Sequence, residues 1–110
     1  MELKNQKQDK FFIVEVSGRM DAISAPEFEK SCLEWIQQGE STLLVDLAGL
    51  EYMSSAGLRS ILVVGKKLKS VGGSLSFSSL APTVAHVFSI SNFASMFPVH
   101  ESLEKALGNS

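Results

Sequence analysis

At 110 residues the chain has room for one ordinary domain and not for two comfortable ones. A 45% hydrophobic and 20% charged composition excludes wholesale disorder, and a net charge of −2 offers no bulk attraction to nucleic acid or anionic lipid. The single cysteine, Cys32, excludes an intrachain disulfide, and with two well-separated histidines it argues against a structural zinc site.

The first ten residues are polar and carry no apolar run that could serve as a signal peptide. No segment approaches the roughly 18 consecutive apolar residues of a membrane span. These features predict a cytoplasmic protein that recognises its partners locally, with no membrane or nucleic acid among them.

Phe11 to Ser17 alternates as a strand, with Phe12, Val14 and Val16 on one face and Phe11, Ile13 and Glu15 on the other. The polar stretch before it is expected to form a weak edge strand that turns near Gln8-Asp9-Lys10. Gly18-Arg19-Met20-Asp21 then reads as a loop. Ser24-Ala25-Pro26-Glu27 has the form of a capping box: Ser24 would accept from the Glu27 amide, and Glu27 would reach back to the Ser24 amide. The helix it opens carries an apolar stripe of Phe28, Cys32, Trp35 and Ile36, and Gly39 ends it. Cys32 falls in that stripe and reads as a small core residue.

Thr42 to Leu47 is nearly all apolar, as suits a central parallel strand covered on both faces. Leu58, Ile61, Leu62, Gly65 and Leu68 trace a second helix, stopped at Gly72-Gly73. Ser74 to Ser78 alternates around Leu75 and Phe77. Pro82 opens a third helix through Val84, Val87, Phe88 and Ser91. Phe97-Pro98-Val99 reads as a short edge strand, and Leu103, Ala106 and Leu107 mark a closing helix. The expected fold is a single α/β domain over residues 1–110. Its mixed sheet would have four to five strands, the central ones parallel, with about four helices in the order β-β-α-β-α-β-α-β-α.

Ligands and partners of open α/β sheets engage the carboxyl ends of the strands. Two loops would share that edge, Gly18 to Ser24 and Ala48 to Gly57. The second ends in Ser54-Ser55-Ala56-Gly57 at the start of a helix, where unpaired amides and the positive end of the helix dipole lie. A serine there is either an ordinary N-cap or an acceptor for a phosphate, whose charge of about −1.5 to −2 a helix N-terminus tolerates. The glycines are too scattered for a dinucleotide fingerprint, and no Walker-type loop occurs. A serine hydrolase would need His86 or His100 to reach Ser55, which sequence order does not support. Arg59, Lys66, Lys67 and Lys69 make the second helix basic on its polar side, either as a solvated face or as a partner contact.

The stretch Asp46-Leu47-Ala48-Gly49-Leu50-Glu51-Tyr52-Met53-Ser54-Ser55-Ala56-Gly57-Leu58-Arg59 resembles the signature of STAS domains, and among them that of stand-alone bacterial anti-sigma factor antagonists. Gly18-Arg19-Met20-Asp21 is similar to the family's Gly-x-x-Asp, and Gly72-Gly73 to its glycines before the next strand. The resemblance implies a phosphorylation-controlled partner switch in bacterial signal transduction and transcription regulation, not an enzyme. In such a switch the unmodified antagonist binds an anti-sigma factor serine kinase of the histidine-kinase-like ATPase type, freeing a sigma factor. Phosphorylation ends the complex, and a metal-dependent serine phosphatase reverses the modification.

On this resemblance the acceptor is Ser55, with Ser54 as second candidate where the family commonly has Asp. Ala56 stands where Ser or Thr is frequent. Asp21, Met53, Ser54, Ala56, Gly57 and Arg59 are the expected partner contacts. No cofactor or metal is implied, and a monomer is expected. Related domains also serve as scaffolds of stress-sensing assemblies and as subunits of lipid-transport complexes, which keeps those roles as alternatives.

Overall fold

The computed structural model describes residues 1–108. Five strands, β1 (Glu2–Gln8), β2 (Phe11–Met20), β3 (Thr42–Met53), β4 (Ser74–Ser78) and β5 (Val99–His100), form one sheet in the order of the sequence. The hairpin β1–β2 is antiparallel, and every other neighbouring pair is parallel. The helices are α1 (Ala25–Gln37), α2 (Ser55–Ser70), α3 (Pro82–Ile90), the single turn α4 (Phe93–Met96) and α5 (Leu103–Ala106). The expected mixed sheet and element order are borne out, with α4 as an addition. No helix among the described residues is long and apolar enough to cross a membrane.

The alternation in β2 does what its pattern dictates. Phe12, Val14 and Val16 join Leu43, Val45 and Leu47 of β3, and Leu75 and Phe77 of β4, in one buried cluster. Phe28, Cys32 and Ile36 of α1 and Ile61, Val64 and Leu68 of α2 complete it. Burying each large side chain of this set contributes roughly 1.5–3 kcal/mol relative to exposure. Ile13 and Leu44, on the opposite face, are also fully buried.

Three expectations need correction. Gly18 to Met20 is strand, not loop, and β3 runs on to Met53 rather than ending at Leu47. The two extensions support each other through the pairs Gly18↔Leu50, Arg19↔Tyr52 and Met20↔Met53, across two register irregularities. A side chain at Gly49 would meet the Ser17 Cβ at 2.8 Å, so glycine permits this close passage. Phe97 is not part of the last strand. Its ring packs edge-on against Phe77 at 5.7 Å and lies over Gly65, where a Cβ would come within 2.9 Å of the ring. It anchors the chain to α2 before β5 begins.

The parallel pairing brings the carboxyl ends of β2, β3 and β4 to one edge of the sheet. Both α1 and α2 start from that edge, and the start of α1 meets the second turn of α2 where the Ser60 hydroxyl donates to the Ala25 carbonyl at 3.3 Å.

Candidate functional site

The link between β3 and α2 is one residue long. Ser54 is extended (φ −90°, ψ 175°), its carbonyl accepts the first helical bond from the Leu58 amide at 3.2 Å, and its amide donates to the Met20 carbonyl at 2.9 Å. That last bond ties the end of β3 to the end of β2. Ser55 is therefore the first residue of α2, and it is exposed. The amides of Ser55, Ala56 and Gly57 have no acceptor within the helix, as at every helix start. The Ser54 hydroxyl caps none of them; it is buried and makes no hydrogen bond among the described residues. No acidic residue occupies the first turn.

Gly57 is buried because the helix start lies directly on the strand ends. A Cβ there would sit 2.9 Å from Met53 Cγ, and 3.1 and 3.2 Å from Met20 Sδ and Cγ. Met20 and Met53 are themselves 0% and 3% exposed. Of the expected partner contacts, Met53 and Gly57 thus lie beneath the turn and position it, offering almost no surface. The extension of β3 causes this, since it turns the Met53 side chain toward the core. Ala56 is half-buried, while Ser55 and Arg59 are exposed.

Asp21 opens the neighbouring turn. Its Oδ1 accepts from the amides of Ile23 and Ser24, each at 3.0 Å, and from the Ser24 hydroxyl at 3.1 Å. The Asp21 amide in turn donates to Ser24 Oγ at 2.9 Å, and the same hydroxyl also lies 2.9 Å from the Arg19 carbonyl. The expected capping box of Ser24 and Glu27 does not form: Ser24 already has helical dihedrals (φ −90°, ψ −26°) and its side chain caps nothing in α1. The reciprocal pair is Asp21 with Ser24, one turn earlier. The Ser24 amide and hydroxyl foremost, then the Ile23 amide and the Arg19 charge, hold the Asp21 carboxyl below its ordinary range.

Two features at this edge escaped the sequence reading. Ile23 stands 90% exposed at the tip of the Asp21–Ser24 turn. Its only signal was a β-branched apolar residue between two polar turn residues. Arg19 lays its guanidinium over the Tyr52 ring at 4.2 Å from the centroid, a stacked pair that follows from their cross-strand register. No hydrogen bond joins Ser55 to His86 or His100 among the described residues. His86 is exposed on α3, and His100 belongs to β5.

An exposed serine at a helix start, two strand ends bonded together and a five-stranded mixed sheet define a small α/β domain. The chain belongs to the STAS domain family, whose pattern matches residues 2–106. Its relatives include BtrV of Bordetella bronchiseptica, assigned to the anti-sigma factor antagonists. The two are 40% identical, over 96% of this chain and 91% of BtrV.

The solved structure of an anti-sigma factor antagonist from Mycobacterium paratuberculosis has the same fold, with a TM-score of 0.88 at 23% identity over 97% of this chain and 91% of that one. The Bacillus protein SpoIIAA also shares the fold and has been solved in two forms. The unphosphorylated form gives a TM-score of 0.83 at 20% identity, over 96% of this chain and 93% of that one. The phosphorylated form gives 0.76 at 19% identity, over 97% of both chains.

Proposed function

We propose that this chain is an anti-sigma factor antagonist that acts as a phosphorylation-controlled partner switch, with Ser55 as the acceptor. Unmodified, it binds an anti-sigma factor serine kinase of the histidine-kinase-like ATPase type and so releases a sigma factor or other target. Phosphorylation of Ser55 ends the complex, and a metal-dependent phosphatase restores it. The role is regulatory, by binding rather than turnover, and the names of its relatives support that reading.

One observation carries the assignment. Ser55 is the exposed first residue of α2, where unpaired amides carry about half a positive charge. A phosphate of about −1.5 to −2 charges is tolerated there by the free protein. Pressed against a docked partner, the same dianion loses water without gaining a counter-charge, and the complex weakens by several kcal/mol, on the order of a thousandfold or more. Ser54 places no negative charge beside the phosphate, and its buried hydroxyl makes no hydrogen bond among the described residues. Asp21, carried on the turn bonded to Ser54, supplies a second contact for the partner, with Ala56 and Arg59 at the rim.

Incubation with the cognate kinase and ATP, followed by mass spectrometry, tests the assignment. A single phosphate on Ser55, absent from Ser55→Ala, is expected. Undiminished modification of Ser55→Ala, or modification of Ser54 alone, refutes it.

A further inference from the structure

We propose that the hollow between α2 and α4 receives one bulky apolar side chain from an acidic segment of a partner protein, with the carboxylates beside that side chain held by Lys66 and Lys69. The hollow measures about 250 Å3 and is lined by Leu62, Gly65, Lys66 and Lys69 of α2 and by Met96 and Phe97. The spacing of the four α2 residues puts them on one face of the helix. Gly65 has no side chain to fill the space, and the Phe97 ring lies against it, where a Cβ would come within 2.9 Å. That ring packs edge-on against Phe77 and Phe93, each at 5.7 Å, so the floor exists before anything docks. Met96, 52% exposed, stands at the rim.

Charge says what the segment must carry. Lys66 and Lys69 are the charged residues of the lining; both are exposed, and neither enters an ion pair among the described residues. The chain as a whole carries −2, yet from Tyr52 to His100 it has no Asp or Glu, and its Lys and Arg residues there are Arg59, Lys66, Lys67 and Lys69. Both walls of the hollow belong to that stretch, so no carboxylate of either wall competes for the two ammonium groups. Lone exposed lysines are commonly just solvated. Here two of them flank an apolar recess, and whatever fills the recess brings its own charges beside them.

Size and shape select the occupant. A volume of about 250 Å3 falls below the roughly 300–1,000 Å3 of pockets that enclose free small molecules, and suits a single leucine or phenylalanine side chain. An anionic bilayer is met by apolar side chains that protrude beside basic ones. Leu62, Gly65 and Phe97 are instead half-buried, the arrangement that receives a side chain rather than inserts one. The hollow is also separate from the Ser55 turn. Lys66 lies roughly 16 Å beyond Ser55 along α2 at about 1.5 Å of rise per residue, so docking there calls for neither the Ser55 hydroxyl nor its phosphate.

The test is an amide chemical-shift titration of the full chain. The probe is a short capped peptide with one central phenylalanine flanked by glutamates. It is compared with its serine-for-phenylalanine and lysine-for-glutamate counterparts, with phenylacetate, with phosphatidylglycerol vesicles and with a single-stranded oligonucleotide. The glutamate peptide is expected to shift the amides of Leu62, Gly65, Lys66, Met96 and Phe97. Its affinity should fall by about tenfold in Lys66→Glu/Lys69→Glu, and each counterpart peptide should bind more weakly by a similar factor. Lys67→Glu, which reverses a neighbouring charge outside the hollow, should leave the affinity unchanged. All three lysines are exposed, so the variants keep the fold, and the unshifted remainder of each spectrum verifies it. The proposal is overturned by an absence of shifts at millimolar peptide, by an equal response to either counterpart or by an equal loss in Lys67→Glu. Shifts confined to other residues overturn it too, as does tighter binding of phenylacetate, vesicles or oligonucleotide through the same residues.

Discussion

Replacing Gly57 by alanine sets two effects against each other at the candidate site. Alanine favours a helix over glycine by up to about 1 kcal/mol, less in a first turn where the helical bonds are incomplete. Against this, the new methyl group would meet Met53 Cγ at 2.9 Å and two atoms of Met20 at 3.1 and 3.2 Å. Both methionines are buried, so neither can swing its thioether into solvent. Overpacking of this kind costs roughly 1–3 kcal/mol, and it outweighs the propensity gain. The expected net destabilisation is about 1–2 kcal/mol, a fall in Tm on the order of 5–15 °C for a domain of this size. Urea unfolding followed by the fluorescence of Trp35, packed against Phe12 at 5.0 Å, measures it directly. Equal or greater stability of the variant would refute the view that close approach, rather than turn geometry, calls for glycine here. Relief of the clash requires α2 to lift from the strand ends, so Gly57→Ala should also slow modification of Ser55 by the kinase.

Three further outcomes are expected. Ser78→Ala removes the hydroxyl that donates to buried Asp46 at 3.0 Å, and should cost about 1.5–3 kcal/mol in urea unfolding, as a hydrogen bond to a charged group does. Burial pushes the Cys32 thiol up to about 12, so above roughly pH 9 the unfolded chain loses this proton while the folded one keeps it. The stability of the wild type relative to Cys32→Ala should then fall by up to about 1.4 kcal/mol per pH unit up to that value, and a pH-independent difference would contradict it. Asp21, whose carboxyl is held below its ordinary range, stabilises the folded state at neutral pH, and that contribution is lost as pH falls through its lowered value. Denaturant midpoints of wild type and Asp21→Ala should therefore converge in acid and separate toward neutrality.

Strand alternation made β2 and β4 legible, and the apolar stripes of α1 and α2 were legible in outline. The far end of β3 was not, because Ala48, Gly49, Glu51 and Tyr52 break the apolar run and a strand without that run resembles a loop. What holds it is a partner distant in sequence, the extension of β2 that pairs Gly18 with Leu50 and Met20 with Met53, with glycine at 49 allowing Ser17 to pass. Long-range pairing of this sort leaves no local mark. The cap of α1 failed for a different reason: Ser24 and Glu27 have the right spacing, but Asp21 competes for the same serine and engages it through both backbone and side chain. The single turn α4 is too short to show a period. At the site, Ser55 was legible as a helix-start serine, while burial of Met53 and Gly57 depended on the β3 extension and could not be read locally.

The Asp21–Ser24 turn closes on itself, and its link to Ser54 is made by main-chain atoms alone. Side chains at Ala22 and Ile23 take no part in either set of bonds, so they can change without disturbing where Ser55 stands. Under the proposed function, a bacterium that carries several such proteins can thus diversify what each one shows its own partner while the turn that carries Ser55 stays the same. Gene duplication followed by drift at two solvent-facing positions would be enough to insulate one pathway from another.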